Sequence, residues 1–135
     1  VKVVLANGCF DLLHVGHVRH LKEARAMGDK LVVSLTLDEH VNKGPGRPIY
    51  KWWDRHDLLI ELECVDEIVP VASAMEAIRL VRPAIFVKGR DYANGDRWTE
   101  EVERACREVG AELRFTTSAK LSATDAILRV MRLAA

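Results

Sequence analysis

Short apolar runs alternate with amphipathic stretches along this chain. Val1–Ala6, broken only by Lys2, predicts a buried strand. From Val15 to Met27 the apolar positions Val15, Val18, Leu21 and Ala24 share one helical face, and Gly28 follows as the expected C-cap. Leu31–Leu37 predicts a second strand and Lys51–Leu62 a second helix. Glu67–Val71 reads as a short third strand, and Ala74–Val81 as a third helix stopped by Pro83. A fourth strand at Ala84–Lys88 runs straight into Gly89. Thr99–Val109 predicts a fourth helix with Thr99 as N-cap and Gly110 just beyond its end. Ala111–Phe115 is the fifth strand and Ser122–Leu133 a last amphipathic helix. Between the second strand and second helix, Asp38–Tyr50 carries Lys43-Gly44-Pro45-Gly46-Arg47-Pro48, which excludes regular structure.

Strands alternating with helices of about three turns imply βαβ units. The expected fold is one doubly wound, Rossmann-like α/β domain over residues 1–135: a five-stranded parallel sheet with helices on both faces. Such sheets bind ligands beyond the carboxyl ends of their strands. Gly8–His17, Lys88–Tyr92 and Thr116–Thr124 each follow a predicted strand, so all three belong on that edge.

Composition narrows the partners. Twenty basic residues balance twenty acidic ones, which argues against a nucleic-acid footprint. Cys9, Cys64 and Cys106 are an odd set with no Cys-x-x-Cys, as expected of reduced thiols in the cytoplasm. No apolar run is long enough to span a membrane, and none has the form of a signal peptide. The chain opens without Met, as expected of a trimmed chain or a piece of a longer protein.

Gly8-Cys9-Phe10-Asp11-Leu12-Leu13-His14-Val15-Gly16-His17 is the richest segment. A helix starting near His14 puts His14 and His17 on one face of its first turn. Its unpaired N–H groups and partial positive charge suit phosphate, and Gly8 and Gly16 let backbone approach a bulky anion. Half a zinc site is the competing possibility, but no cysteine is spaced to complete one. Lys43 and Arg47 flank glycines that would let their loop move as a lid, or form an ordinary solvated loop. Lys88-Gly89-Arg90-Asp91-Tyr92 offers close backbone approach, an acceptor and a stacking ring, or a plain turn capped by Asp91. Ser122 and Asp125 have capping-box spacing, and a capped helix start with the Thr124 hydroxyl still presents N–H groups to phosphate. Neither a P-loop nor a dinucleotide-binding glycine fingerprint is present.

Gly8–His17 resembles the signature of the nucleotidylyltransferase superfamily, and more closely that of the cytidylyltransferase-like family. The likeness continues through Lys43-Gly44, Arg47-Pro48, Arg55, Val65-Asp66, Val87-Lys88-Gly89-x-Asp91-Tyr92 and Ser122-Ala123-Thr124. Within the family the wording is nearest the branch that makes ADP-heptose, and next the branch that activates glycerol 3-phosphate. Glu63, and Thr116–Lys120 lacking an Arg-Thr-x-Gly element, favour the former.

The resemblance implies transfer of a nucleoside monophosphate from a triphosphate, ATP favoured, to a sugar phosphate such as heptose 1-phosphate, with release of pyrophosphate. A CTP-dependent glycerol-3-phosphate enzyme is the alternative, and a nucleotide-binding module without turnover is another. It also implies His14, His17 and Lys43 as catalytic groups. Gly8, Cys9, Phe10, Gly16, Lys88, Gly89, Asp91, Tyr92, Ser122 and Thr124 would bind the nucleotide, and Arg55 and Arg47 the acceptor phosphate. Asp11 would orient a histidine or a water of magnesium, and Mg²⁺ would ride on the triphosphate without direct protein ligands. A homodimer is expected, and Tyr50, Trp52 and Trp53 are candidates for a partner contact.

Overall fold

Strand and helix alternate strictly in the computed structural model, which describes residues 1–90, 97–118 and 122–135. The order is β1 (Val3–Gly8), α1 (Val15–Arg25), β2 (Lys30–Thr36), α2 (Trp52–Ile60), β3 (Glu67–Val71), α3 (Ala74–Val81), β4 (Ile85–Gly89), α4 (Arg97–Val109), β5 (Glu112–Thr116) and α5 (Ala123–Ala134). One 3₁₀ turn, Asp38–His40, follows β2.

The strands form one sheet in the order β3-β2-β1-β4-β5, every pair parallel. Parallel central strands are covered on both faces, and Val4, Leu5 and Ala6 are accordingly fully buried. Successive residues serve opposite cores. Val4 and Ala6 pack with Leu21, Ala24 and Leu59 of α1 and α2, whereas Leu5 packs with Ile78 of α3 and Val102 of α4. From β1 the chain winds outward through β2 and β3, then returns to place β4 on the other side of β1. The crevice at the carboxyl ends of β1 and β4 is therefore the topological switch point.

Element types match the hydrophobic pattern, with ends displaced by one or two residues, and three details differ. Gly28 does not cap α1; Ala26 does. A side chain at Gly28 would lie 2.7 Å from the Lys2 carbonyl oxygen, so the glycine makes room for β1. Thr99 is no N-cap: α4 already includes Arg97, and Thr99 lies buried within it. The predicted helix at the carboxyl end forms, yet α5 buries none of its side chains. Its start is as expected, with the Ser122 side chain accepting from the Asp125 N–H at 3.1 Å.

Candidate active site

The turn from β1 into α1 is strained and tightly packed. Phe10 and Leu12 have φ of 47° and 62°, in the left-handed region where residues with side chains pay an energetic penalty. A Cβ at Gly8 would fall 2.7 Å from the Phe10 ring, so this glycine admits an aromatic ring at the strand end. Phe10 in turn meets the His17 ring edge-on, with centroids 5.3 Å apart. Gly8 thus helps set the position of His17 as well as opening the backbone.

His14 is the N-cap of α1. Its Nδ1 accepts from the Gly16 N–H at 3.1 Å, and Nδ1 of His17 accepts from the His14 N–H at 3.2 Å. The two imidazoles form a reciprocal capping box and stack with centroids 3.8 Å apart. Because each Nδ1 is an acceptor, the ring proton of each neutral histidine belongs on Nε2. Burial, then the neighbouring His14, His20 and Lys43, push the His17 pKa down to about 3. His17 is a neutral donor at physiological pH.

Asp11 anchors the segment that leads into α2. Its carboxylate is wholly buried and accepts from the N–H groups of Ile49 and Tyr50 at 2.7 and 3.0 Å, and from Arg47 Nε at 2.8 Å. Burial alone would raise its pKa, but the Tyr50 and Ile49 amides and the Arg47 side chain outweigh that and lower it. Asp11 clamps the 47–50 segment, and it also belongs to the lining of the cleft at the switch point, with His14 and His17. Arg55 departs from its expected place at the acceptor phosphate. It is buried, and donates from Nε to the Tyr50 carbonyl, from Nη1 to the Cys9 carbonyl and from Nη2 to Asp38 at 2.7–2.9 Å. It braces the β1–α1 turn from behind and does not line the cleft. Arg47 bonds Asp11 and, through Nη1, the Thr124 hydroxyl at 3.2 Å.

A cleft of about 370 Å³ opens at the switch point. Gly8, Cys9, Phe10, Gly16, His14, His17, Lys43, Lys88, Gly89, Ser122 and Thr124, predicted from sequence, all line it. Lys88 is the most constrained of them: its ammonium donates to the Asn7 carbonyl at 2.8 Å and lies 5.5 Å from the centre of the Trp98 ring. Asp91 and Tyr92 lie outside the described residues. The cleft also includes His20, which the motifs did not indicate, and Thr116 and Ser118 from the Thr116–Thr124 segment expected on this edge. His20 Nδ1 is 2.7 Å from Thr116 Oγ1, and Glu23 holds the Thr117 and Ser118 hydroxyls at 3.0 Å. His20 was detectable, since it follows His17 by three residues on the same helix face.

The arrangement brings two helix N-termini, two imidazoles and two lysines to one cleft, a setting for a polyanion. Among the described residues no cluster of three or more metal-binding side chains occurs. No described helix is long and apolar enough to cross a membrane.

Residues 5–127 match the cytidylyltransferase-like family. The chain is 41% identical over 122 residues to Bifunctional protein HldE of Helicobacter pylori J99, covering 87% of this chain and 26% of that protein. The protein of that name from a Nitratiruptor species is 38% identical over 135 residues, covering 97% and 28%. This chain thus spans about a quarter of the length of the curated relatives it matches. Among solved structures, the lipopolysaccharide core biosynthesis protein of Thermoplasma volcanium superposes with a TM-score of 0.72 at 29% identity, over 90% of this chain and 98% of that one. A pantothenate synthetase from Thermus thermophilus shares the fold, with a TM-score of 0.66 at 16% identity over 93% and 61%.

Proposed function

The chain belongs to the cytidylyltransferase-like family, and on that premise we propose that it transfers a nucleoside monophosphate from a triphosphate, ATP favoured, to a sugar phosphate such as heptose 1-phosphate. The observation carrying this is the convergence of His14, His17, Lys43, Ser122 and Thr124 on one cleft at the switch point. The similarity to proteins named HldE, and to a lipopolysaccharide core biosynthesis protein, supports a sugar phosphate over an alcohol phosphate as acceptor.

The chemistry asks little of the protein beyond placement. A phosphomonoester with a second pKa of about 6 is mostly dianionic at neutral pH, so it attacks the α-phosphorus without a general base. Pyrophosphate leaves on the opposite side, and charge grows on the oxygens of the transferring group. In this proposal the Nε2–H groups of His14 and His17 donate to α- and β-phosphate oxygens, and donors of fixed orientation need no rearrangement as that charge develops. Lys43 neutralises charge from the loop. The start of α5, with the Ser122 and Thr124 hydroxyls, holds the β- and γ-phosphates. Lys88 and Gly89 border the nucleoside. Asp11 is closed off by three donors, so magnesium enters on its substrate, as the metal–triphosphate complex.

Pyrophosphate release tests this directly. The chain is incubated with Mg²⁺, each of ATP, CTP and GTP, and heptose 1-phosphate or glycerol 3-phosphate. Release with ATP and the heptose is expected; nucleotide binding without release under any pairing would leave only a binding module. A cytoplasmic homodimer belongs to the same proposal. Exposed Ile49, Tyr50 and Trp53 offer an apolar face for it, and sedimentation of Trp53→Ser beside the parent chain tests that face.

A further inference from the structure

Arg47 is an unusual residue for a surface loop. Its side chain is only 6% exposed and lies against the fully buried carboxylate of Asp11. Nε and Nη1 are satisfied by Asp11 and Thr124, but Nη2 is buried with no hydrogen-bond partner. A buried donor left unmet is costly, and more so on a charged group. The orphan sits on the same planar fork that reaches Thr124, in the first turn of the twelve-residue helix α5. Two observations thus coincide: a helix N-terminus facing the cleft, and an unsatisfied guanidinium nitrogen beside it.

The loop bearing Arg47 turns on two glycines. Gly44 and Gly46 have φ of 104° and 78°, with nothing within 4 Å of where a side chain would start. The same loop carries Lys43 to the cleft. Its attachment to the body runs through Asp11, which grips Arg47, Ile49 and Tyr50 together.

We propose that Arg47 couples the terminal phosphates of the bound nucleotide to docking of the 41–50 loop. A phosphate oxygen at the start of α5 supplies the acceptor that Nη2 lacks, and the guanidinium, braced on Asp11, then fixes Lys43 over the triphosphate. Arg47 is a positioning residue for Lys43 and a sensor of nucleotide charge, in place of the acceptor-phosphate ligand expected from sequence. The inference rests on the proposed nucleotidyl transfer and adds to it the device that distinguishes a triphosphate from a monophosphate.

Calorimetry with Mg²⁺ and ATP, AMP, CTP or CMP tests it on the parent chain, Arg47→Gln and Arg47→Lys. A hydrogen bond to a charged group is worth roughly 10- to 100-fold in affinity. Arg47→Gln is therefore expected to lose at least about tenfold for the triphosphate that the parent prefers, with its monophosphate held within about twofold. Arg47→Lys keeps charge beside Asp11 without the planar fork, and should recover only part of the loss. Tryptic cleavage after Lys43 gives an independent readout: the triphosphate should protect that bond in the parent and not in Arg47→Gln. Equal losses for triphosphate and monophosphate, or an unchanged triphosphate affinity with protection intact, would overturn the coupling. Failure of the parent to bind any triphosphate would remove the functional proposal itself, a separate and recognisable outcome.

Discussion

Two helices point their N-termini into the cleft, and they are held in opposite ways. α1 buries Leu21 and Ala24 against the sheet, and its first turn is locked by the reciprocal bonds of His14 and His17. α5 buries nothing; Leu128, Val130, Met131 and Leu133 are 45–80% exposed. Its Thr124 hydroxyl accepts from Arg47, which stands on a glycine-rich loop. In the proposed reaction, the groups nearest the reacting phosphorus therefore stand on a helix packed into the core, while those on the leaving pyrophosphate stand on a helix with no buried side chain. A site needing precise donors at the α-phosphate and release of product from the β- and γ-phosphates has reason to be built unevenly.

The largest expected effect lies beneath the rigid side. Asp11→Ala strands the Arg47 guanidinium without its buried partner, and removing one member of such a pair costs about 3–5 kcal/mol. Chemical denaturation should show that loss, and a change within error of zero would mean the clamp is not needed. Next comes His17→Ala, expected to slow turnover by about 100-fold or more, roughly 3 kcal/mol, measured as pyrophosphate release. Should Ser122→Ala slow turnover as much, the contrast between the helices would fail. Lys43→Ala, which removes a cation the loop must deliver, is expected to slow the chemical step by about tenfold, or 1.4 kcal/mol, in single-turnover assays.

His17 also makes a pH prediction. Its folded pKa of about 3 lies below the ordinary 6.5, so between these values the unfolded chain binds a proton that the folded one does not. Stability therefore rises with pH across that window and is lost as pH falls from 6.5 towards 3. Thermal midpoints at several pH values should decline below pH 6.5 in the parent and less steeply in His17→Gln. Parallel curves would mean that the imidazole is not held neutral by the fold.

Local pattern carried much of this molecule. Alternation in Val4-Leu5-Ala6 and the His-x-Gly-His spacing are written within a few residues, so the strands, their succession along the chain and the α1 rim were legible, while the sheet order was not. Asp11 and Arg55 were not. Both are charged residues near a phosphate motif, and only the partners Asp11 finds at Tyr50, 39 positions on, and Arg55 at Cys9, 46 positions back, show that Asp11 ties the loop to the cleft wall and Arg55 braces the turn from behind. Thr99 misled for a related reason: a threonine before a helical pattern suits a cap, but α4 includes Arg97, so the hydroxyl falls inside the helix. Gly28 suits a helix end by its place after a helical pattern, but its close approach to Lys2 is the constraint. His20 shares the helix face of His17 in sequence, but its partner Thr116 lies 96 positions on, at the end of β5.

The smallest expected effect tests the loosely held side. Ser122→Ala removes the side-chain acceptor for the Asp125 N–H, and losing such a cap costs about 1 kcal/mol. In a helix docked through a buried face that loss would appear in global stability. α5 has no buried face, so its unwinding is separable from that of the sheet, and the cost should fall on α5 alone. Amide hydrogen exchange should therefore quicken over residues 125–134 by about fivefold, while protection of β1 and β4 stays as it was. If β1 and β4 lost protection together with α5, the two helices would belong to one cooperative unit, and the division between a rigid rim and a yielding one would be wrong.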